Sequence, residues 1–458
     1  MNQTILKNMI SQWLEEFTLP AVIHRDAAPD SAELRNLSEI LAIVGPRRAG
    51  KTFVMYEMIA NLVKEGLAER DDILFLDFED YRLRDFAPED IENLFTIFRQ
   101  LTGKDPAWLF FDEIHQLTDW SRIVRSLHNR GRYRIVISGS NARLLLPDIA
   151  TELRGRYRDH LILPFSFIEI LREQGISWTE RTFYTAAKGD LLRTFDRFLK
   201  VGGFPEVLKK ETPGERRQLL QNYYQTIFYR DIVERYNIRA KALMEGMMTC
   251  CLHQFSTLFS LSAFEKSLKS QSRPGSKRTL ANYLSYLHEA FFILCADKFS
   301  YSPRQRVMNP QKIFLMDQGF TTLTDDFSEN KGRILENVVA VELYRQQQAF
   351  HYYKHRWECD FIVRNTVAVG GNLKAIQVCW TLTTANRERE LRGLSDAMEK
   401  LSISHGLILT YDEEESVPAP SGRQIEVMPV WKWLLYNGTP KELHGDDGAA
   451  YETNPAKS

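Results

Sequence analysis

The first third of the sequence predicts an α/β fold built on a parallel sheet, with three further regions behind it. Two observations carry this. Five short, continuously apolar runs alternate with helical stretches between about 40 and 165, and the first of them runs straight into a glycine-framed loop at 45–52. Runs that are apolar at every position are those of parallel strands covered on both faces, and strand–helix alternation is the doubly wound arrangement. The predicted strands are 41–44 (LAIV), 73–78 (ILFLDF), 108–112 (WLFFD), 134–138 (RIVIS) and 161–163 (LIL).

Behind this region the pattern becomes helical from about 166 to 240, broken at Gly202-Gly203-Phe204-Pro205. Compact helices and a basic, strand-like ending follow to about 316, then a helix and strands again to about 435. The polar, small-residue stretch at 439–458 reads as a disordered tail. A length of 458 residues suits about three domains. The net charge of −1 gives no global attraction for nucleic acid, so any such attraction must be local. No apolar run is long enough to span a membrane. The five cysteines are scattered without zinc spacing and read as reduced thiols of a cytoplasmic protein.

The loop Gly45-Pro46-Arg47-Arg48-Ala49-Gly50-Lys51-Thr52, followed by Phe53, has the spacing G-x-x-x-x-G-K-[ST] between a predicted strand and a helix. Phosphates need backbone N–H groups at close range, and Gly45 and Gly50 allow that path. The helix from Lys51 adds the positive end of its dipole. Lys51 is placed to reach the β- and γ-phosphates of ATP, and the Thr52 hydroxyl to ligate Mg2+. The second motif is the strand 108–112 ending in Asp112-Glu113. Asp112 is the candidate second metal-holding group and Glu113 the candidate general base for the attacking water.

The strand 134–138 leads into Gly139-Ser140-Asn141, where Ser140 or Asn141 is the candidate polar contact to that water; a plain turn is the alternative. Between 121 and 160 there are nine arginines, three acids and no lysine. Arg154 or Arg156 is the candidate finger toward a neighbouring copy's γ-phosphate, against a basic face turned to solvent or DNA. His24-Arg25, upstream of the first strand, is a candidate adenine contact.

These motifs, with LFFDEIHQL (109–117), ISGSNARLL (137–145), LRGRYRDHLILPFSFIEIL (153–171), GGFPEV (202–207), YRDIVERYNIR (229–239), LENVVAVEL (335–343) and ECDFIV (358–363), resemble the prokaryotic AAA+-type ATPases with an AAA_14 core and a DUF4143 C-terminal region. The resemblance runs from about 20 to 435. It implies a P-loop ATPase of the origin-recognition-like branch at 1–165, a helical lid at 166–240, a winged helix at 241–316 and a restriction-endonuclease-like α/β domain at 317–438.

The residues of the middle region read as a helix-turn-helix. Helical patterns flank Arg273-Pro274-Gly275, Ser276 is a candidate N-cap, and the next helix opens Lys277-Arg278-Thr279. Lys298, Arg304, Arg306 and Lys312 follow without an acid and read as a basic β-hairpin wing. Double-stranded DNA is the expected partner; docking of a protein is the alternative.

In the last region a metal nuclease needs acids on adjacent strands and a lysine, usually as E-x-K. Here Glu336, Glu358 and Asp360 are present, but the E-x-K position reads Gln377-Val378-Cys379, and Lys374 falls on the opposite strand face. The expectation is a scaffold retaining Asp360 and Gln377 in a polar pocket. The sequence thus reads as an ATP-dependent switch acting on DNA or a DNA-bound partner, with self-association expected of a finger acting in trans. Its rivals are an ATP-licensed nuclease and a regulator whose winged helix docks a protein.

Overall fold

The computed structural model describes residues 2–142, 153, 155–272, 275–324, 331–364, 373–419 and 423–437. Arg154, Arg273, Pro274 and the predicted tail lie outside them. The chain divides into two compact units, Met1–Pro164 and Phe165–Ser458.

The first unit is a five-stranded parallel sheet. Its strands are β1 (Ile40–Val44), β2 (Ile73–Asp77), β3 (Trp108–Asp112), β4 (Arg134–Gly139) and β5 (Tyr157–Leu161), in the spatial order β2-β3-β4-β1-β5. The central strands are buried at nearly every position, which is why the sequence reads apolar there without alternation. Helices Lys51–Lys64, Asp90–Thr102 and Trp120–Asn129 form the crossovers. Leu41, Ile43, Val54, Met58, Phe110, Val136 and Ile162 share one core. Trp13 from the N-terminal segment is buried in the same core and its indole donates to the Ile73 carbonyl at 2.8 Å.

One strand sits elsewhere than the apolar run at 161–163 suggested. β5 is Tyr157–Leu161, a half-exposed edge strand, so it needs no continuous apolar run. Residues 162 and 163 continue past its end.

In the second unit the helix Phe167–Glu173 starts with a capping box between Ser166 and Glu169. Helices Lys188–Val201, Pro213–Thr226 and Lys241–His253 follow. Next come β6 (Thr257–Phe259), helices Leu261–Ser270 and Lys277–Glu289, β7 (Ile293–Ala296) and β8 (Gln311–Leu315). β8 lies between β6 and β7, antiparallel to both.

The basic hairpin expected between 298 and 312 is different in form. The connection from β7 to β8 carries a short helix, Pro303–Met308, and Lys312 lies inside β8, buried among carboxylates. Its ammonium is therefore unavailable to a DNA backbone.

Helix Lys331–Arg345 precedes a six-stranded mixed sheet in the order β13-β14-β12-β11-β10-β9. The strands are β9 (Ala349–Lys354), β10 (Glu358–Arg364), β11 (Leu373–Val378), β12 (His405–Thr410), β13 (Glu415–Ala419) and β14 (Arg423–Pro429). β11 runs parallel to β12, and β12 to β14; the other pairs are antiparallel. The helix Arg387–Lys400 packs against β10, β11 and β12, where Leu394, Ala397 and Met398 join Ile362, Ile408 and Val427 in the core.

The break at Gly202-Gly203 is explained by Asp317, just after β8. Its carboxylate accepts the N–H groups of Gly203 at 2.7 Å and Gly319 at 2.8 Å. A Cβ on Gly202 would lie 1.9 Å from Asp317 Oδ1, and one on Gly203 would lie 2.3 Å from the Phe165 carbonyl oxygen, so both glycines are needed for close approach. Burial pushes the Asp317 carboxyl up to about 6, against the lowering effect of the two N–H groups.

Asp317→Ala should therefore cost about 1–3 kcal/mol, since two buried donors lose their acceptor, as measured by urea unfolding at neutral pH. The raised carboxyl keeps its proton longer in the folded state than in the unfolded one. Its contribution to stability should decline as pH rises from about 4, the ordinary carboxylate value, to about 6, and the variant should lack that component.

Candidate functional site

The loop at 45–52 leaves β1 at the carboxyl end of the sheet, where ligands of open α/β sheets bind. A Cβ at Gly45 would meet the Ile162 carbonyl oxygen at 1.9 Å. Gly50 takes φ 98°, ψ 23° and starts the helix Lys51–Lys64, whose first N–H groups face the loop. Arg48 is also at positive φ, 66°.

Side chains from the ends of β3 and β4 and from this helix converge beneath the loop. Thr52 Oγ1 donates to Asp112 Oδ2 at 2.6 Å. Lys51, 4% exposed, donates to the Pro46 carbonyl at 3.2 Å and pairs with Glu113 Oε1 at 3.1 Å. The Ser138 hydroxyl, from β4, donates to Asp112 Oδ1 and accepts the Glu113 N–H at 2.9 Å. Glu113 Oε2 accepts the Ser140 N–H at 3.1 Å and lies 3.2 Å from His115 Nδ1. Glu113 itself is held at φ 46°, ψ 44°, an uncommon conformation for a residue with a side chain and one that recurs at functional sites.

The two adjacent acids are driven apart. Burial and the charge of Glu113 push the Asp112 carboxyl up. Burial would also raise Glu113, but Lys51, His115 and Arg47 outweigh it and hold that carboxyl at about 2. Asp77 stands beside Asp112 in register at the end of β2, and burial together with the nearby acids pushes it up to about 6.

Ser140 is 1% exposed and its hydroxyl has no hydrogen-bond partner among the described residues. A buried hydroxyl without a partner is costly unless a ligand or water satisfies it. A hydroxyl and a carboxylate side by side, an ammonium, N–H groups around the loop and an orphan hydroxyl together fit a nucleotide phosphate with its magnesium. Asn141 is buried next to Ser140. Arg47 pairs with Glu79, and Phe53 is half exposed on the outer side of the helix.

One candidate is placed differently from the sequence reading. Arg25 is not turned to an adenine pocket: it is 4% exposed and its guanidinium donates to the carbonyls of Ala49, at 2.7 Å, and Leu163. It is a brace for the loop, and Gly50 has room only for its near approach. His24 is 2.5 Å from Glu57. Arg156 lies at the amino end of β5, where its carbonyl accepts the Ile40 N–H, so the length of β1 separates it from its own chain's loop. Its guanidinium donates to Asn129. Ser138, His115 and Asp77 were missed as site residues. Only Asp77 left a signal, as an acid ending an apolar strand just as Asp112 does.

Residues 37–171 match the AAA_14 family, an AAA domain. Residues 192–330 match a domain of unknown function, DUF8612, where the resemblance had named DUF4143. The chain is 33% identical over 408 residues to the uncharacterized protein MJ1544 of Methanocaldococcus jannaschii, covering 87% of this chain and 88% of that one. It is 26% identical to an uncharacterized protein of Haemophilus influenzae, covering 88% and 96%. Among solved structures, it is similar to the Aeropyrum pernix ORC1 protein in complex with DNA (13% identity, 69% of this chain and 96% of that one, TM-score 0.30). It is also similar to AMPPCP-bound DnaA from Aquifex aeolicus (14% identity, 61% and 92%, TM-score 0.25). At these TM-scores the likeness carries no further reading.

Arg25→Met should orphan the Ala49 and Leu163 carbonyls and lose two charge-assisted bonds. A cost of about 1.5–3 kcal/mol is expected in chemical unfolding, and a melting temperature unchanged from wild type would show that the brace is not needed.

Proposed function

Because the chain belongs to the family of the uncharacterized protein MJ1544 and carries an AAA domain, we propose that it is an ATP-hydrolysing molecular switch acting on DNA or a DNA-bound partner. The observation that carries the hydrolytic part is the convergence of Lys51, Thr52, Asp112 and Glu113 under one loop. Thr52 and Asp112 are the side chains that would hold magnesium, which when bound with ATP would neutralise phosphate charge. Lys51 exchanges its pairing with Glu113 for phosphate oxygens. Glu113 then loses the charge that suppresses its basicity and accepts the proton of the water that attacks the γ-phosphorus. The bond to the bridging oxygen breaks and ADP leaves. Ser140, or Asn141 beside it, orients that water or the γ-phosphate. Arg156 is too far from its own loop for this step; as a finger it would act on a neighbouring copy, and that role requires a homo-oligomer.

The DNA part rests on the middle of the second unit. Its element order (helix, strand, two helices, strand, short helix, strand) and its central β8 support a winged-helix reading. The helix Lys277–Glu289 is capped by Ser276, which accepts the Thr279 N–H at 3.2 Å, and it opens with exposed Lys277 and Arg278. Arg304 is exposed on the β7–β8 connection, while Arg306 is half buried and donates to the Ser300 carbonyl at 2.7 Å. Lys277, Arg278 and Arg304 are thus the candidate phosphate contacts, and Arg306 shapes the connection.

Hydrolysis of ATP by purified protein, with and without duplex DNA, tests both parts. Wild type should be stimulated by the duplex, and Glu113→Gln should lose roughly 10²–10⁴-fold in kcat while still binding nucleotide. Full turnover in the variant would remove Glu113 as the base. Turnover indifferent to duplex would move the partner from DNA to protein. Asp360→Ala, in the second unit, should leave ATP turnover nearly intact.

A further inference from the structure

The nuclease-like expectation for the last region depended on a missing lysine, and the structure supplies one from elsewhere. Lys312, on β8, places its ammonium 2.7 Å from Glu336 Oε1, 2.8 Å from Asp360 Oδ1 and 3.3 Å from Glu358 Oε1. It is 3% exposed. Three carboxylates converging on one point is the arrangement a divalent ion would use, and here the point is taken by a tethered cation. Several neighbouring acceptors are occupied as well. Asp360 Oδ2 accepts the Val378 N–H at 2.9 Å. Gln377 donates to Glu390 at 2.7 Å, and Glu390 pairs with Arg389. Glu358 also pairs with Lys354 at 3.3 Å. Burial and the charge of Asp360 push the Glu336 carboxyl up to about 8. The point a metal ion would take is already held by an ammonium.

The same residues form the floor of a cavity of about 610 Å³. Its lining holds five basic residues against four acids, so the balance is cationic even with every carboxylate ionised. Lys354, Arg356 and Arg389 are exposed, and Arg356 has no carboxylate partner among the described residues. Two tryptophans line the cavity: Trp357, 39% exposed with the Arg392 guanidinium over its ring at 5.5 Å, and Trp380, stacked on Tyr411. Basic groups beside partly open aromatic faces are how unpaired bases and their phosphates are held together.

We propose that this cavity binds single-stranded nucleic acid without cutting it, Lys312 standing permanently in the place of a metal ion. Arg356 and Arg389 contact phosphates, Trp357 stacks a base, and the Lys312 cluster forms a closed, charge-balanced floor. The site is separate from the nucleotide loop and does not depend on ATP.

Fluorescence anisotropy of a labelled oligo(dT) strand, with the full chain and no nucleotide, tests it. Wild type should bind, with or without manganese, and leave the strand intact. Trp357→Ala should weaken binding roughly tenfold or more. Arg356→Glu should weaken it and lower the salt slope by about 0.7 or more, one phosphate contact or more. Both positions are exposed enough for the fold to survive, which thermal melting checks. Absence of binding, binding unchanged in both variants, or a duplex of the same length bound as tightly would each overturn the proposal. Manganese-dependent cutting would overturn the role given to Lys312.

Discussion

The buried ammonium of Lys51 is the charge on which the first unit's site depends. β3 ends in two adjacent acids, both withdrawn from water, and an ion buried without compensation costs several kcal/mol. Lys51 compensates Glu113, while Thr52 and Ser138 hydrogen-bond Asp112. The outcome is two carboxyls of opposite character on consecutive residues. Asp112 is raised and hydrogen-bonded to a hydroxyl that can share a cation with it. Glu113 is held at about 2 by a lysine that phosphate oxygens would attract away. Environments that push neighbouring titratable groups apart in this way mark different chemical tasks.

Sheet order makes this possible. β4 lies between β1, which carries the loop, and β3, which carries the acids. The separation leaves room for Ser138 to bridge the two acids and for Ser140 to present its hydroxyl at the same edge. Arg25 does the corresponding work on the outer side, tying Ala49 to Leu163 so that the loop is held from behind by backbone carbonyls.

The second unit contains a comparable hub with the opposite consequence. Lys312 also satisfies buried acids, but there a tethered ammonium already holds the point on which the carboxylates converge. In the proposed function the first hub exchanges its internal partners for phosphates and magnesium. The second is closed, and the chemistry available around it lies in the basic and aromatic rim of its cavity.

The parallel sheet, the phosphate loop and the two acids at the end of β3 were legible in the sequence, because each is local. Apolar runs report burial on both faces, and G-x-x-x-x-G-K-T reports a backbone path that depends on a few consecutive residues. β5 was not legible in place, since an edge strand is half exposed and its polar pattern resembles a loop. Ser138 gave no signal, because it acts on acids brought to it by the sheet order, and Arg25 was read toward adenine because its partners Ala49 and Leu163 lie far from it along the chain. Lys312 is the clearest case. By sequence it belonged to a run of basic residues suited to a DNA backbone, since neighbouring charges are all that a sequence shows. Only the tertiary structure put it 2.7–3.3 Å from Glu336, Asp360 and Glu358. The side chain's direction is set by the pairing of β8 and by the acids of a later helix and strand, none of which is near Lys312 along the chain.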